Sequence, residues 1–294
     1  MTKLPVHSKA ITSLHFLDDT HLLTTSADGE MKIVDITTNK SIFSELLIEK
    51  GINDSSFHMN NKMICVVGES NIIYVFEYNN NECKLKCKIP NQFVNYHLCV
   101  SCGDSNKVCV SSDNKLYIYD VDKQTMRKSL EQIHMNPITS ITHDGIIFQT
   151  TSLDGTIYKC THSNIGLDID YPIEYVPILS SDYSWGKGFV IADSEGCITF
   201  YKGENDVKKW NGYSHGNKLI PVKLYECVNG EIAVLAGTHD GMIQLYKVES
   251  ESCSKSKKLF NSAIHSIDVN KNMIAIGGDD GNLILLSKSD FESN

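Results

Sequence analysis

A turn residue that recurs seven times at near-constant spacing, β-rich runs on both sides of it, and the want of any helical period predict an all-β fold. The expected architecture is a single seven-bladed β-propeller of four-stranded antiparallel blades. Aligned on the turn, the recurring residues are Gly29, Asn71, Asn114, Gly155, Gly196, Gly241 and Gly281, separated by 42, 43, 41, 41, 45 and 40 residues. A four-stranded blade takes about 40–45 residues, so one turn per blade fills the chain. Gly and Asn both accept positive φ, which a two-residue hairpin demands, and this explains their alternation.

The strands before the turns read HLLTTS, MICVVG, KVCVSS, IIFQTT, GFVIAD, IAVLAG and MIAIGG. Those after it are equally rich in β-branched and aromatic residues. Five positions beyond the turn residue stand Val34, Phe76, Tyr119, Cys160, Tyr201, Tyr246 and Leu286, all apolar or aromatic. The blades are drawn at residues 7–46, 47–88, 89–130, 131–171, 172–213, 214–258 and 259–287, the last completed by residues 1–6. Supplying the final outer strand from the N-terminus closes the ring and hides edges that would otherwise template aggregation. The propeller is expected to account for the whole chain.

Residues 7–36, HSKAITSLHFLDDTHLLTTSADGEMKIVDI, resemble a WD repeat along their full length. His7 stands where that family has the histidine of its Gly-His pair. Ile11, Ser13 and Leu14 match the first strand, Ser26 and Asp28 precede the Gly29 turn, and Asp35 ends the third strand; Val34 replaces the tryptophan. The resemblance implies a hydrogen-bonded set that ties each blade together and fixes strand register. It carries onto His7, Ser26 and Asp28 in blade one, His134, Ser152 and Asp154 in blade four, and His215, Thr238 and Asp240 in blade six, where Tyr246 stands in for tryptophan. Blades two and five have Ser70 and Glu195 where the turn aspartate belongs. Blades three and seven keep Asp113 and Asp280 but place Phe93 and Phe260 near the histidine position, so these four blades are expected to rely more on packing.

Composition narrows the function classes. The net charge is −9, the only arginine is Arg127, and the densest basic cluster is Lys255, Lys257 and Lys258. Duplex binding needs clustered Lys and Arg, so no direct nucleic-acid contact is expected. No apolar run reaches the ~18 residues that cross a bilayer, and the first residues lack a secretory layout. The protein is read as soluble and intracellular, in the cytoplasm, the nucleus or both, with its ten cysteines reduced.

Candidate chemistry is sparse. His97, Cys99, Cys102 and Cys109 offer half a zinc motif, but strand alternation opposes their convergence, so no metal is expected. His7, Ser26 and Asp28 also invite a Ser-His-Asp reading, yet their analogues recur in other blades, whereas a catalytic set occurs once. No phosphate-cradling, dinucleotide or HExxH motif is present, and no cofactor is expected. Phosphoinositide-binding propellers carry a paired-arginine motif that this chain lacks. The Trp-Asp-x-Arg of ligase-receptor propellers is absent too, since neither Trp185 nor Trp210 precedes an aspartate.

The resemblance therefore points to a non-enzymatic scaffold or adaptor: a monomeric propeller inside a larger complex, bound to other proteins or peptides. A reader of short linear or modified peptides, such as a histone tail, at the rim of the central channel is the alternative, and a propeller enzyme a minor one. The rim formed by the hairpin turns and the loops entering each first strand would carry Lys9, Glu30, Met135, Asn136, Tyr175, Lys218, His239, Met242, Asp279 and Asn282. Tyr and Met are enriched at interfaces, which favours Met135, Tyr175 and Met242. Trp185, beside Gly186 and Gly188 on the opposite face, is a candidate anchor, whereas Trp210 falls in an outer strand and is expected to pack.

Overall fold

A computed structural model describes residues 1–90, 98–102, 106–131, 133–143, 147–161, 175–184, 186–203, 206–211 and 221–293, without the side chains of residues 99–102, 147, 160 and 161. Strand β1 (Thr2–Pro5) comes first. Blade one then comprises β2 (Ile11–Phe16), β3 (His21–Ser26), β4 (Glu30–Asp35) and β5 (Lys40–Leu46), and blade two β6 (Ile52–His58), β7 (Met63–Gly68), β8 (Ile72–Asn79) and β9 (Glu82–Pro90). Blade three holds β10 (Leu98–Cys102), β11 (Lys107–Ser112), β12 (Lys115–Asp120) and β13 (Thr125–Leu130), and blade four β14 (Ile138–His143), β15 (Ile147–Ser152) and β16 (Ile157–Thr161). Blade five follows as β17 (Ile178–Ser184), β18 (Gly188–Asp193), β19 (Cys197–Gly203) and β20 (Asp206–Asn211), and blade six as β21 (Val222–Glu226), β22 (Ile232–Gly237), β23 (Met242–Lys247) and β24 (Lys255–Lys258). Strands β25 (Ile264–Val269), β26 (Met273–Gly278) and β27 (Asn282–Ser287) belong to blade seven. The segment in which blade four's outer strand is expected lies outside the described residues.

Every sheet is an antiparallel meander, and the fold is a seven-bladed β-propeller. The core is divided into layers, because each sheet buries both faces against its neighbours. Between blades one and two, Leu23, Met31 and Ile33 meet Ile64, Val66 and Phe76; between blades five and six, Val190, Phe200 and Trp210 meet Leu224, Val234 and Tyr246. Double-sided burial explains why β3 and β7 are buried at every position, while β5 at the periphery is exposed along most of its length. Trp210 is a packing residue: its indole lies 5.7 Å from the Tyr246 ring, and its Nε1 donates to the Ser250 carbonyl at 2.8 Å.

The turns depart from the expected two-residue hairpin. In five blades the glycine amide donates to the carbonyl three residues earlier at 3.0–3.3 Å, and the glycine takes φ between 73° and 88°. This is a type I turn followed by a left-handed residue, a wider loop than the one expected. At Gly29 a Cβ would sit 2.1 Å from the Ile48 carbonyl oxygen, so both space and φ demand glycine. Asn71 and Asn114 do not take positive φ; in blade three Asp113 does, at 52°, within a two-residue loop.

Blade seven is completed by β1, which pairs with β27 from Thr2↔Leu285 to Pro5↔Asn282. The chain is not wholly β: Lys288–Ser293 form a short helix, α1, whose Phe291 is 2% exposed against the blade-six and blade-seven layer. Six residues are too few to display a helical period, which is why the sequence did not signal it. Deleting residues 1–5 removes four backbone pairings and bares the β27 edge. The expected result is a melting midpoint lower by about 5–10 °C and concentration-dependent aggregation, measured by calorimetry and light scattering.

Candidate interaction site

The rim histidines are fixed by local structure. His7 precedes β2, and its ring spans two elements: Nε2 lies 2.8 Å from Thr24 Oγ1 on β3, and Nδ1 lies 3.2 Å from Asp28 Oδ2 in the turn. Asp28 also accepts the amides of Ser8 (2.9 Å) and Glu30 (3.0 Å). Blade four repeats the device: His134 Nε2 lies 2.8 Å from Thr150 Oγ1, and Nδ1 lies 2.7 Å from Thr156 Oγ1 and 3.5 Å from Asp154. The Tyr158 ring packs edge-on against His134 at 4.7 Å.

The histidine does not bond the serine of its set directly. Ser26 and Ser152 instead cap the turn: each Oγ accepts the Asp28 or Asp154 amide at 3.0–3.1 Å and donates to the Lys9 or Asn136 carbonyl. The histidine partners, Thr24 and Thr150, sit two residues earlier on the same strand face. A signal was available, for both strands end in Thr-Thr-Ser. In blade six Thr238 bonds Asp240 and accepts the Met242 amide at 2.9 Å, and His215 lies outside the described residues. Blade five does not rely on packing alone: Asp193, missed in the sequence, caps the turn by accepting the Glu195 and Cys197 amides.

Electrostatics keep these networks neutral at histidine. Burial lowers the pKa of His7, with Asp28 opposing, and takes His134 down to about 4 against the pull of Asp154. Burial pushes Asp28 and Asp154 upward, but the amide and hydroxyl donors outweigh it, and both end below the usual carboxylate range. His7, Asp28 and Glu30 bring three potential metal ligands within 4.8 Å of one another. Both His7 nitrogens already have partners, and Glu30 pairs with Lys32 at 2.7 Å, so the group reads as a closed network. Of the sulfur-rich group, Cys109 is buried in β11; His97 and the side chains of Cys99 and Cys102 lie outside the described residues.

The rim candidates fall on the hairpin turns and entry loops, with unequal exposure. Met135 is 91% and Tyr175 78% exposed, and Lys9, Asn136 and Asp279 are also exposed. Glu30, His239, Met242 and Asn282 are half-buried. Met135 and Tyr175 flank one turn: the Met135 amide donates to Asp154 at 2.7 Å, and Tyr175 backbone closes over Gly155, where a Cβ would come within 2.7 Å of it. Tyr175 takes φ 54°, a left-handed conformation few non-glycine residues adopt. Trp185 and Lys218 lie outside the described residues.

A second polar feature, absent from the sequence reading, lines the central channel. His15, Ser56, Thr142, Asp182, Lys223 and Asp268 occupy one register level of six innermost strands, each opposite the residue six before its blade's turn residue. Lys223 reaches Asp182 at 3.5 Å in the preceding blade and Asp268 at 3.1 Å in the following one. Burial alone would lower the Lys223 pKa, but the two carboxylates raise it well above its ordinary value; burial raises that of Asp182 and lowers that of His15. A cavity of about 370 Å³ borders this belt. The signal available was register: each of these residues pairs with the position six before its blade's turn residue.

Comparison with known proteins agrees with this geometry. The family described as WD domain, G-beta repeat matches residues 1–35. The crystal structure of the WD40 beta propeller domain of Doa1 superposes with a TM-score of 0.77 at 16% sequence identity, covering 97% of this chain and 95% of that one. No curated protein matches by sequence.

Two outcomes follow from these networks. His134 has a folded pKa near 4 against about 6.5 unfolded, so the unfolded chain binds more protons between those values. Stability is then expected to fall as pH drops from 6.5 towards 4, by roughly 3 kcal/mol at most from this residue, and His134→Gln should flatten part of that slope in urea titrations. Lys223→Met leaves Asp182 and Asp268 facing each other without their cation. It is expected to destabilise the fold by about 3–5 kcal/mol, less when combined with Asp182→Asn, read from the same titrations.

Proposed function

From a chain with a WD repeat in its first blade and the fold of a WD40 propeller throughout, we propose a non-enzymatic scaffold or adaptor that holds other proteins within a larger complex. Such propellers generally mediate protein–protein interaction and typically do no catalysis. The observation that carries the reading is the pair Met135 and Tyr175, the two most exposed large apolar side chains among the described residues. Both stand on backbone fixed by the blade-four turn, so little conformational freedom is lost when a partner covers them. The titratable rim groups nearby serve the fold: His134 and Asp154 are buried and bonded inside the blade.

The channel gives less support to a reader of basic tails. Its carboxylates Asp182 and Asp268 are already engaged by Lys223, which removes the acidic pocket such a ligand would need. Free thiols at Cys65, Cys109 and Cys227, all buried, suit a reducing setting, and the proposed complex is cytoplasmic or nuclear.

Affinity purification from the native source with mass spectrometry tests the proposal. Wild-type protein is expected to retain a stoichiometric protein partner, and Met135→Ser with Tyr175→Ser to lose it at least tenfold with a melting midpoint within about 2 °C of wild type. Equal retention by the double variant rejects the assignment of this surface.

A further inference from the structure

On the face opposite the rim, the loops joining first and second strands in blades five, six and seven meet α1 around a cavity of about 730 Å³. Its wall includes Lys187 from the β17–β18 loop, Glu226 at the end of β21, Asn270 and Lys271 between β25 and β26, and Lys288 and Ser289 at the start of α1. Three lysines thus line one space in a chain whose net charge is −9. The one carboxylate among them is in use: Glu226 Oε2 pairs with Lys187 at 2.9 Å, and that bond holds its pKa below the ordinary range. Glu292, nearby on α1, is turned to other work, accepting the Tyr225 hydroxyl at 2.6 Å and the Val228 amide at 3.0 Å.

Lys288 is the unusual member. It is 5% exposed, its Nζ donates to the Glu226 carbonyl at 2.9 Å, and its ammonium lies 4.5 Å from the centre of the Tyr225 ring. A buried lysine normally takes a carboxylate as partner, yet this ammonium meets a carbonyl oxygen and a ring face. Burial lowers its pKa, and the charge of Lys187 lowers it further, against the opposing pull of Glu226 and Glu292. Like charges turned into a common cavity repel until an anion sits between them.

We infer that this cavity binds an oxyanion of the phosphate class, held among Lys187, Lys271 and Lys288. Three point charges arriving from two loops and the start of α1 suit an anion with several charged oxygens better than a planar carboxylate, which pairs best with an arginine fork. Ser287 and Ser289, their hydroxyls hydrogen-bonded at 2.7 Å, leave one O–H donor at the same wall. The volume exceeds what a single phosphate fills and leaves space for the group that carries it.

The test uses the intact protein in phosphate- and sulfate-free buffer with three probes: inorganic phosphate, inorganic pyrophosphate and the peptide Gly-Gly-phosphoSer-Gly-Gly. At 10 mM probe the melting midpoint is expected to rise by about 2–4 °C, with saturation in calorimetric titration. Lys187→Gln with Lys271→Gln is expected to weaken binding at least tenfold. Both side chains are at least partly exposed, so the pair tests the site without the folding risk of replacing Lys288. Lys257→Gln with Lys258→Gln on β24 should leave binding unchanged. Tighter binding of pyrophosphate assigns a phosphorylated small molecule, and tighter binding of the peptide a modified side chain. Absence of a shift with all three probes, or a shift of equal size in the Lys187 and Lys271 variant, overturns the inference.

Discussion

The innermost strand of every blade has one edge without a partner strand, and the rest of the propeller depends on how the amides and carbonyls along that edge are met. A sheet edge left unsatisfied in a narrow channel would be as costly as an unpaired buried group elsewhere. Here the donors and acceptors come from the blade before. Asp268 accepts the Phe16 amide at 2.7 Å, Asp182 the Leu224 amide at 2.8 Å and Ser13 the Ser55 amide at 3.0 Å. His15 donates to the Ser55 carbonyl, Ser140 to that of Ser181 and Ser266 to that of Ile11. All six bonds run from one blade to the next in chain order, with Ser266 and Asp268 carrying the series across the junction of the ends. Apolar layers supply most of the driving force, but these bonds fix the spacing and tilt at which the layers can form.

The parts of this fold that could be read from sequence are those set by local chemistry. Gly29, Gly155, Gly196, Gly241 and Gly281 take left-handed backbone, and their spacing, with Asn71 and Asn114 filling the gap between the first two, announced seven repeats before any contact was known. The apolar position five residues beyond each turn is buried wherever its side chain is described, from Val34 to Leu286. What was misread depends on register or on neighbouring blades. Whether His7 meets Thr24 or Ser26 is decided by how deeply the entry loop lies over β3, and no spacing rule conveys that depth. Asp193 escaped notice because it sits where other blades carry Ser or Thr, three residues before the glycine rather than one. The charged belt of Asp182, Lys223 and Asp268 is spread over three repeats, so each member looks like an isolated polar residue until the ring brings them together.

Two faces of the disc differ in how they use polar groups. On the rim of hairpin turns, histidines and aspartates are consumed in holding blades together, and what reaches solvent is the apolar pair Met135 and Tyr175 with scattered polar side chains. On the opposite face, lysines of blades five and seven and of α1 line one cavity with a single carboxylate, Glu226, among them. An apolar anchor on a rigid support and a cationic recess are different recognition chemistries, and the thickness of the propeller keeps them apart.

The pairing of β1 with β27 also sets the order in which the molecule can be made. Residues 2–5 are synthesised long before residues 282–285, and gain a strand partner only when those are made. Until then the first six blades form an open arc with an unpaired apolar margin at its growing end. Contacts of such wide sequence separation form slowly, so the nascent chain passes through a long interval in which that margin can capture another strand. The closure therefore makes the last blade, rather than the first, the step that completes the molecule.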